Sequence, residues 1–124
     1  MHEFSVMAQI VDSILEEAGT RQASKVESVD LDLGEYTMLG EEQLRFAFQV
    51  LTKNTILADA SLNVRQLKGR VKCRCGYDGS VLVGDDTLHK IAPLLECPKC
   101  GGAAEIVEGR ECVVRNIRMV VPDV

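Results

Sequence analysis

Four of the five cysteines in this 124-residue chain form two close pairs, Cys73 with Cys75 and Cys97 with Cys100. Two thiolates in one tight turn can bind one side of a metal ion, and two such turns supply the four sulfur ligands of a tetrahedral zinc site. The separation between the pairs is typical of a zinc ribbon. Because four thiolates leave no open position on Zn²⁺, we predict a structural zinc site formed by Cys73, Cys75, Cys97 and Cys100.

The two cysteine pairs differ in their spacing. Only Arg74 separates the first pair, whereas Pro98 and Lys99 separate the second, so the two pairs grip an ion differently. Cys112 is best interpreted as a small buried hydrophobe on a strand, with a substitute ligand or a redox partner as the alternative. His89 is interpreted as a surface or hairpin histidine, with metal binding as the alternative.

A second set of metal-binding groups begins the chain, Met1-His2-Glu3. The α-amine and the His2 imidazole have reference pKa values of about 8 and about 6.5, so both can act as nitrogen donors near neutral pH. The first amides of a helix have no intrahelical acceptor, so those of His2 and Glu3 can deprotonate onto a metal without breaking the helix. Four nitrogens in one plane suit Ni²⁺ or Cu²⁺. Taken alone, His2 is more simply a solvated residue at a chain end.

Two amphipathic helices must position these groups. Apolar residues recur at helical spacing after Glu3, and Gly19 provides a stop. The predicted face of this helix consists of Phe4, Met7, Ala8, Val11, Ile14, Leu15 and Ala18. Glu41 and Glu42 open a second helix, where acidic residues suit the positive end of the helix dipole. Its predicted buried face consists of Leu44, Ala47, Phe48 and Leu51.

Three segments have strand patterns. Residues 26–33 alternate, with Val29, Leu31 and Leu33 on one face, and residues 34–37 form a connector. Leu62 and Val64 lead a second strand. The tail from 111 to 121 forms a third, and its predicted face consists of Val113, Ile117, Met119 and Val121. Single apolar faces on two helices and three strands can be buried by packing the helices on one sheet.

We therefore predict an α+β fold in which two helices pack on a three-stranded sheet with an inserted zinc-ribbon module. The predicted domains are 1–70 plus 111–124, and 71–110. The inserted module is too small to fold on buried surface alone, so metal binding is expected to provide much of its stability.

Composition restricts the function. The net charge of −5 and the pI of about 5.0 argue against a nucleic-acid binder, which usually carries a basic patch. The sequence has neither a run long enough for a membrane span nor the pattern of a secretory signal, so we expect a cytoplasmic protein. In that reducing compartment, paired cysteines indicate metal ligands rather than disulfides.

These motifs together resemble the HypA metallochaperones of [NiFe]-hydrogenase maturation, over essentially the whole chain. The resemblance rests on Met1-His2-Glu3 with Ala8, Ile14 and Leu15, on Leu31-Asp32-Leu33-Gly34-Glu35, on Leu44-Arg45-Phe46-Ala47-Phe48, on Thr55, Ala58, Ala60 and Leu62, and on Cys73 to Gly76 with Cys97-Pro98-Lys99-Cys100-Gly101. The single residue between Cys73 and Cys75 departs from the family pattern, which has two.

The resemblance implies a nickel-binding α/β domain with an inserted zinc ribbon. Nickel would be bound by Met1, His2 and Glu3 and delivered, without catalytic turnover, to the [NiFe]-hydrogenase large-subunit precursor. A hydrogenase-maturation GTPase is the implied partner, and some relatives also serve urease. We expect no nucleic-acid or membrane partner.

Two other functions would use the same residues. The first is a structural zinc-ribbon module that contacts proteins without transferring nickel. The second is a thiol redox enzyme that uses Cys97 and Cys100, but this requires an exposed thiolate of low pKa, which a closed zinc site would not offer.

Overall fold

The computed structural model describes residues 3–81 and 94–122. Within these ranges the chain forms two α-helices and seven β-strands. They are α1 (Glu3–Thr20), β1 (Lys25–Gly34), α2 (Glu41–Leu51), β2 (Ser61–Leu67), β3 (Arg70–Lys72), β4 (Asp78–Gly79), β5 (Leu94–Glu96), β6 (Ala103–Glu108) and β7 (Cys112–Val120). None of the described helices is long and apolar enough to cross a membrane.

The chain divides into two compact units. The described part of the first unit consists of residues 3–31, 39–65 and 113–122. Its helices α1 and α2 pack against each other, and β1 is the central strand of the three-stranded sheet β2-β1-β7. The predicted α+β fold with two helices and a three-stranded sheet is confirmed.

The buried side chains of the first unit follow the predicted periodicities. On α1 they are Met7, Val11, Ile14 and Ala18, and on α2 they are Leu44, Ala47 and Phe48. The strand β1 buries alternate residues, including Val29 and Leu31. Phe4 was expected on the buried face, but its position in the first turn of α1 leaves it 46% exposed.

The prediction of a buried face on β7 is wrong at both ends of the tail. Val113 is 53% exposed and Val121 is 49% exposed. The physical reason is that β7 is an edge strand, paired on one side by β1. Residues near the ends of an edge strand have fewer neighbours to cover them, so apolar alternation does not guarantee burial there.

The described part of the second unit consists of residues 32–38, 66–81 and 94–112. It contains the antiparallel sheet β4-β3-β6-β5. Central pairs are Val71 opposite Ile106 and Leu95 opposite Ala104. The core of this unit consists of Tyr36, Val71, Leu95, Cys97, Ala104 and Ile106.

Tyr36 is the unexpected member of that core. The sequence indicated only a connector at residues 34–37, yet the Tyr36 side chain is buried. Its hydroxyl donates a hydrogen bond to the Val81 carbonyl (2.9 Å) and accepts one from the Val81 amide (3.0 Å). The ring lies against Gly69 and Gly109, at positions that a side chain on either glycine would occupy. The connector is therefore part of the cysteine-containing unit.

Candidate metal centre

The second cysteine pair lies in the loop of the β5–β6 hairpin. Glu96 and Ala103 are the last paired residues, so the loop runs over residues 97–102. The Cys97 amide donates to the Gly102 carbonyl (2.7 Å), and the Gly101 amide donates to the Cys97 carbonyl (2.9 Å). Gly101 has a φ of 77°, which glycine adopts without steric penalty. These bonds fold the loop so that both sulfurs project from one turn.

The first pair lies in a matching turn between β3 and β4. The Cys73 amide donates to the Tyr77 carbonyl (2.9 Å), and the Gly76 amide donates to the Cys73 carbonyl (3.0 Å). Gly76 has a φ of 101°, so this turn also has its glycine in the left-handed region. The single-residue spacer between Cys73 and Cys75 therefore still fits a tight hairpin turn.

The two turns bring four sulfurs together. The Sγ atoms of Cys73 and Cys100 are 3.5 Å apart, and those of Cys75 and Cys97 are 3.7 Å apart. All four Sγ atoms lie within 4.8 Å of one another. A disulfide requires about 2.05 Å, so these are not bonded pairs. Four sulfurs at about 2.3 Å from a tetrahedral Zn²⁺ lie about 3.8 Å apart, so the cluster has dimensions that fit zinc.

Backbone donors assist ionisation of Cys97. The Lys99 amide lies 3.4 Å from the Cys97 sulfur. Burial opposes ionisation, but the backbone N–H groups of Cys100 and Lys99 and the neighbouring thiols of Cys75 and Cys100 outweigh it, and the pKa of Cys97 falls to about 7. A thiolate is the form that binds a metal, so this sulfur is prepared for coordination.

The pKa of Cys100 is shifted in the opposite direction. The Gly102 amide favours its thiolate, but interactions with the Cys73, Cys75 and Cys97 thiols together with burial raise its pKa to about 11. Several thiolates crowded together repel one another, so the group retains protons when no cation is bound. A divalent cation replaces those protons, which makes metal binding and deprotonation a single event.

The cysteines differ in their surroundings. Cys97 is buried in the core of the unit, whereas Cys75 and Cys100 are exposed and Cys73 is half-buried. The centre therefore joins the packed core on one side to the surface on the other. An ion bound there would add a link between two hairpins that also meet through the pairing of β3 with β6 and through their shared core. This is the arrangement expected of a metal that stabilises a small module.

The other residues that the sequence analysis considered as metal ligands are Cys112, His89, Met1, His2 and Glu3. Cys112 begins β7, is half-buried and does not belong to the four-sulfur cluster, and burial raises its pKa. Met1, His2 and His89 lie outside the described residues. Glu3 is the first residue of α1, and its Oε2 accepts a hydrogen bond from the Gly40 amide at 3.0 Å.

The residues that support the centre were not all recognised from the sequence. Tyr36 packs in one core with Cys97, although it is 61 positions earlier in the chain. The Glu35 carboxylate accepts a hydrogen bond from the Gly69 amide at 2.8 Å. The available signal was a pair of glycines, Gly69 and Gly109, immediately beside predicted strands.

Comparisons with known proteins agree with this architecture. A family model described as hydrogenase/urease nickel incorporation, metallochaperone, hypA matches residues 1–119. A hydrogenase maturation factor HypA from Methanothermobacter thermautotrophicus is 37% identical over 124 residues, which cover 99% of this chain and 100% of the relative. One from Methanobrevibacter smithii is 38% identical over 125 residues, which cover 99% and 98%.

The fold is also similar to a solved structure. The solution structure of the Ni metallochaperone HypA from Helicobacter pylori matches with a TM-score of 0.66 and 24% identity. The match covers 98% of this chain and all of the other. At 24% identity, this similarity shows only that the two proteins share a fold.

Proposed function

The chain belongs to the HypA family of hydrogenase and urease nickel-incorporation metallochaperones, and from that premise we propose that it binds Ni²⁺ at its own N-terminus as cargo. We further propose that it delivers this ion to the [NiFe]-hydrogenase large-subunit precursor together with a maturation GTPase. The protein acts in the cytoplasm and without catalytic turnover. The observation that carries the proposal is that the family model matches from residue 1, so the match includes Met1-His2-Glu3.

The donor chemistry of the N-terminus supports nickel as the cargo. The α-amine, the His2 imidazole and two backbone amides are nitrogen donors, which suit square-planar Ni²⁺ better than tetrahedral Zn²⁺. Glu3 contributes its amide in this proposal. Its carboxylate contacts the Gly40 amide, at the N-cap of α2. The hydrogen bond that the Gly40 amide donates to this carboxylate holds the start of α1 in place while the residues before it bind the ion.

The four cysteines serve a separate purpose in this proposal. Cys73, Cys75, Cys97 and Cys100 hold a structural Zn²⁺, for which their sulfur separations are suited. A Zn²⁺ ion held by these residues would supply a fixed link between the two hairpins. In this proposal the closed sulfur site binds zinc and the nitrogen-rich terminal site binds nickel, so the ligand type separates the two metals. In this proposal the unit that contains α1 and α2 is the nickel domain, and the cysteine-containing unit is the zinc domain.

The N-terminal site can be tested by changing the chain end while zinc serves as a folding control. Adding two residues ahead of Met1, or making His2→Ala, removes the amine or the imidazole from the chelate. We expect both variants to lose stoichiometric nickel binding in isothermal titration calorimetry, while zinc content by elemental analysis stays near one ion per chain. His89→Ala is the matched control, since the chain has two histidines.

Each outcome has a definite meaning. Retention of nickel affinity by the extended chain and by His2→Ala would refute the terminal site and favour a zinc-ribbon interaction module without nickel transfer. Loss of nickel only in His89→Ala would place the cargo site elsewhere. X-ray absorption that finds nickel surrounded by sulfur would assign it to the cysteine cluster instead.

A further inference from the structure

The outer side of β7 is a free sheet edge. In the sheet β2-β1-β7 its neighbour is β1, and in the described part of the chain no strand lies on its other side. The Val120 carbonyl accepts a hydrogen bond from the Ser24 amide (2.8 Å), so the Val120 backbone faces the side of β1. Successive residues of a strand direct their N–H and C=O groups to opposite sides. The backbone groups of Ile117 and Met119 therefore lie on the free edge, where they can pair with another strand.

A groove of about 390 Å³ lies between α1 and β7. On one side it is lined by Glu17 and Arg21, which are joined at 2.6 Å near the end of α1. On the other side it is lined by Ile117, Met119 and Val121, which share one face of the strand because they alternate along it. Ile117 and Met119 are half-buried, and Val121 is exposed. The groove therefore contains a row of apolar side chains that the first unit covers only in part.

β7 also carries positive charge. It contains two arginines, Arg115 and Arg118, and no acidic residue, in a chain whose net charge is −5. Arg115 lies 3.9 Å from Asp30, whereas Arg118 is exposed and forms no salt bridge with a described residue. Because Arg118 lies between Ile117 and Met119 in the strand, its side chain projects to the face opposite the groove. An acidic side chain on a neighbouring strand can pair with it there.

The free edge, the apolar groove and the arginines together specify one kind of occupant. We propose that β7 and the end of α1 form a docking surface for an extended segment of a different protein, which adds a strand to the sheet beside β7. The backbone of this segment pairs with the free edge. Its apolar side chains, at alternate positions, fill the groove, and the acidic side chains between them lie beside Arg118. The proposal concerns α1 and β7 and does not depend on nickel transfer.

A second copy of this chain is a poor occupant of the same edge. Antiparallel pairing of two β7 strands about their centres places Arg115 of each copy opposite Arg118 of the other. Like charges directly opposite each other on neighbouring strands are destabilising. A strand with acidic residues at these positions forms favourable pairs instead. The charge of β7 therefore favours a different chain over a second copy.

The docking surface is tested by amide hydrogen exchange of the full zinc-loaded chain, measured by NMR spectroscopy. The probe is a blocked synthetic peptide of about eight residues in which valine alternates with glutamate. At saturation we expect exchange at Ile117 and Met119 to slow by roughly tenfold or more, because the free-edge amides gain acceptors. One control peptide has lysine in place of glutamate, and another has all its valines before its glutamates. Both should give much less protection.

Two substitutions separate the backbone contribution from the charge contribution. Met119→Pro removes an N–H group from the free edge, where a sheet tolerates proline, and should abolish the protection at Ile117. Arg118→Glu should weaken binding of the valine-glutamate peptide by roughly three- to tenfold. Arg110→Glu is the matched control for charge, because Arg110 is also exposed but lies between β6 and β7. It should leave the affinity unchanged.

The proposal is overturned if the alternating peptide gives no protection, if all three peptides protect equally, or if Arg118→Glu binds as well as Arg110→Glu. Protection at Ile117 and Met119 that rises with protein concentration in the absence of peptide would identify a second copy as the occupant and would also refute it. Far-ultraviolet circular dichroism of each variant reports whether the fold is retained. Arg118→Glu is an exposed change, so the test stands even if Met119→Pro fails to fold.

Discussion

Gly69 provides the sharpest test of how the cysteine-containing unit is packed. A Cβ at this position would lie 2.0 Å from Cε2 and 2.3 Å from Cζ of Tyr36. Carbon atoms in ordinary contact are about 3.5–4.0 Å apart, so the tyrosine ring would have to move by more than an ångström. Gly69→Ala is therefore a one-methyl change that the core of this unit cannot accept in place.

Displacement of the ring would also break its polar contacts. The Tyr36 hydroxyl makes two hydrogen bonds with the Val81 backbone, at 2.9 and 3.0 Å. Each contributes about 1 kcal/mol net, and overpacking a core costs about 1–3 kcal/mol. We expect Gly69→Ala to lower the free energy of unfolding of this unit by about 3–5 kcal/mol. Tyr36→Phe, which removes only the hydroxyl, should cost about 1–2 kcal/mol.

The measurement is urea unfolding of zinc-loaded protein, with native-state hydrogen exchange at the Val71 and Leu95 amides to report on this unit. Gly19→Ala is the matched control, because nothing lies within 4 Å of the added Cβ and the residue is in α1. That change should stabilise its helix by about 0.5–1 kcal/mol. If Gly69→Ala unfolded at the same urea concentration as the wild type, the packing argument would be wrong.

Two further predictions follow from the metal centre and the sheet. Cys97→Ser should lose zinc and the ordered structure of the second unit, whereas Cys112→Ser should keep zinc near one ion per chain. Elemental analysis measures the zinc, and hydrogen exchange reports on the order of the unit. Equal loss of zinc in both variants would place Cys112 among the ligands. Hydrogen bonds from Asn63 (2.9 Å) and Asn116 (3.4 Å) hold the pKa of Asp30 below its usual value. A lowered folded-state pKa contributes stability that is present above the unfolded value of about 3.9 and is lost as the pH falls through the folded value. The stability advantage of the wild type over Asp30→Asn should therefore shrink below about pH 4 in urea unfolding, and an advantage that does not change with pH would contradict this.

Local sequence patterns were sufficient to predict most of the buried positions of the first unit. The buried positions of α1 recur at the helical period, and the buried positions of β1 include the alternating residues that the sequence predicted. These periods follow from backbone geometry, which every residue of an element shares. The exceptions, Phe4 and Val113, lie at the ends of their elements, where burial depends on what covers them.

The spacing of the cysteines by itself determined that each pair would lie in one tight turn, because a short loop followed by a glycine can fold in few ways. Tertiary structure alone decided that the two turns meet, since the register of β3, β6 and β5 sets which loops become neighbours. It also placed Tyr36 in the core beside Cys97. A contact between residues distant in the chain depends on the shape of both partners, and no local pattern encodes what the opposite surface will be.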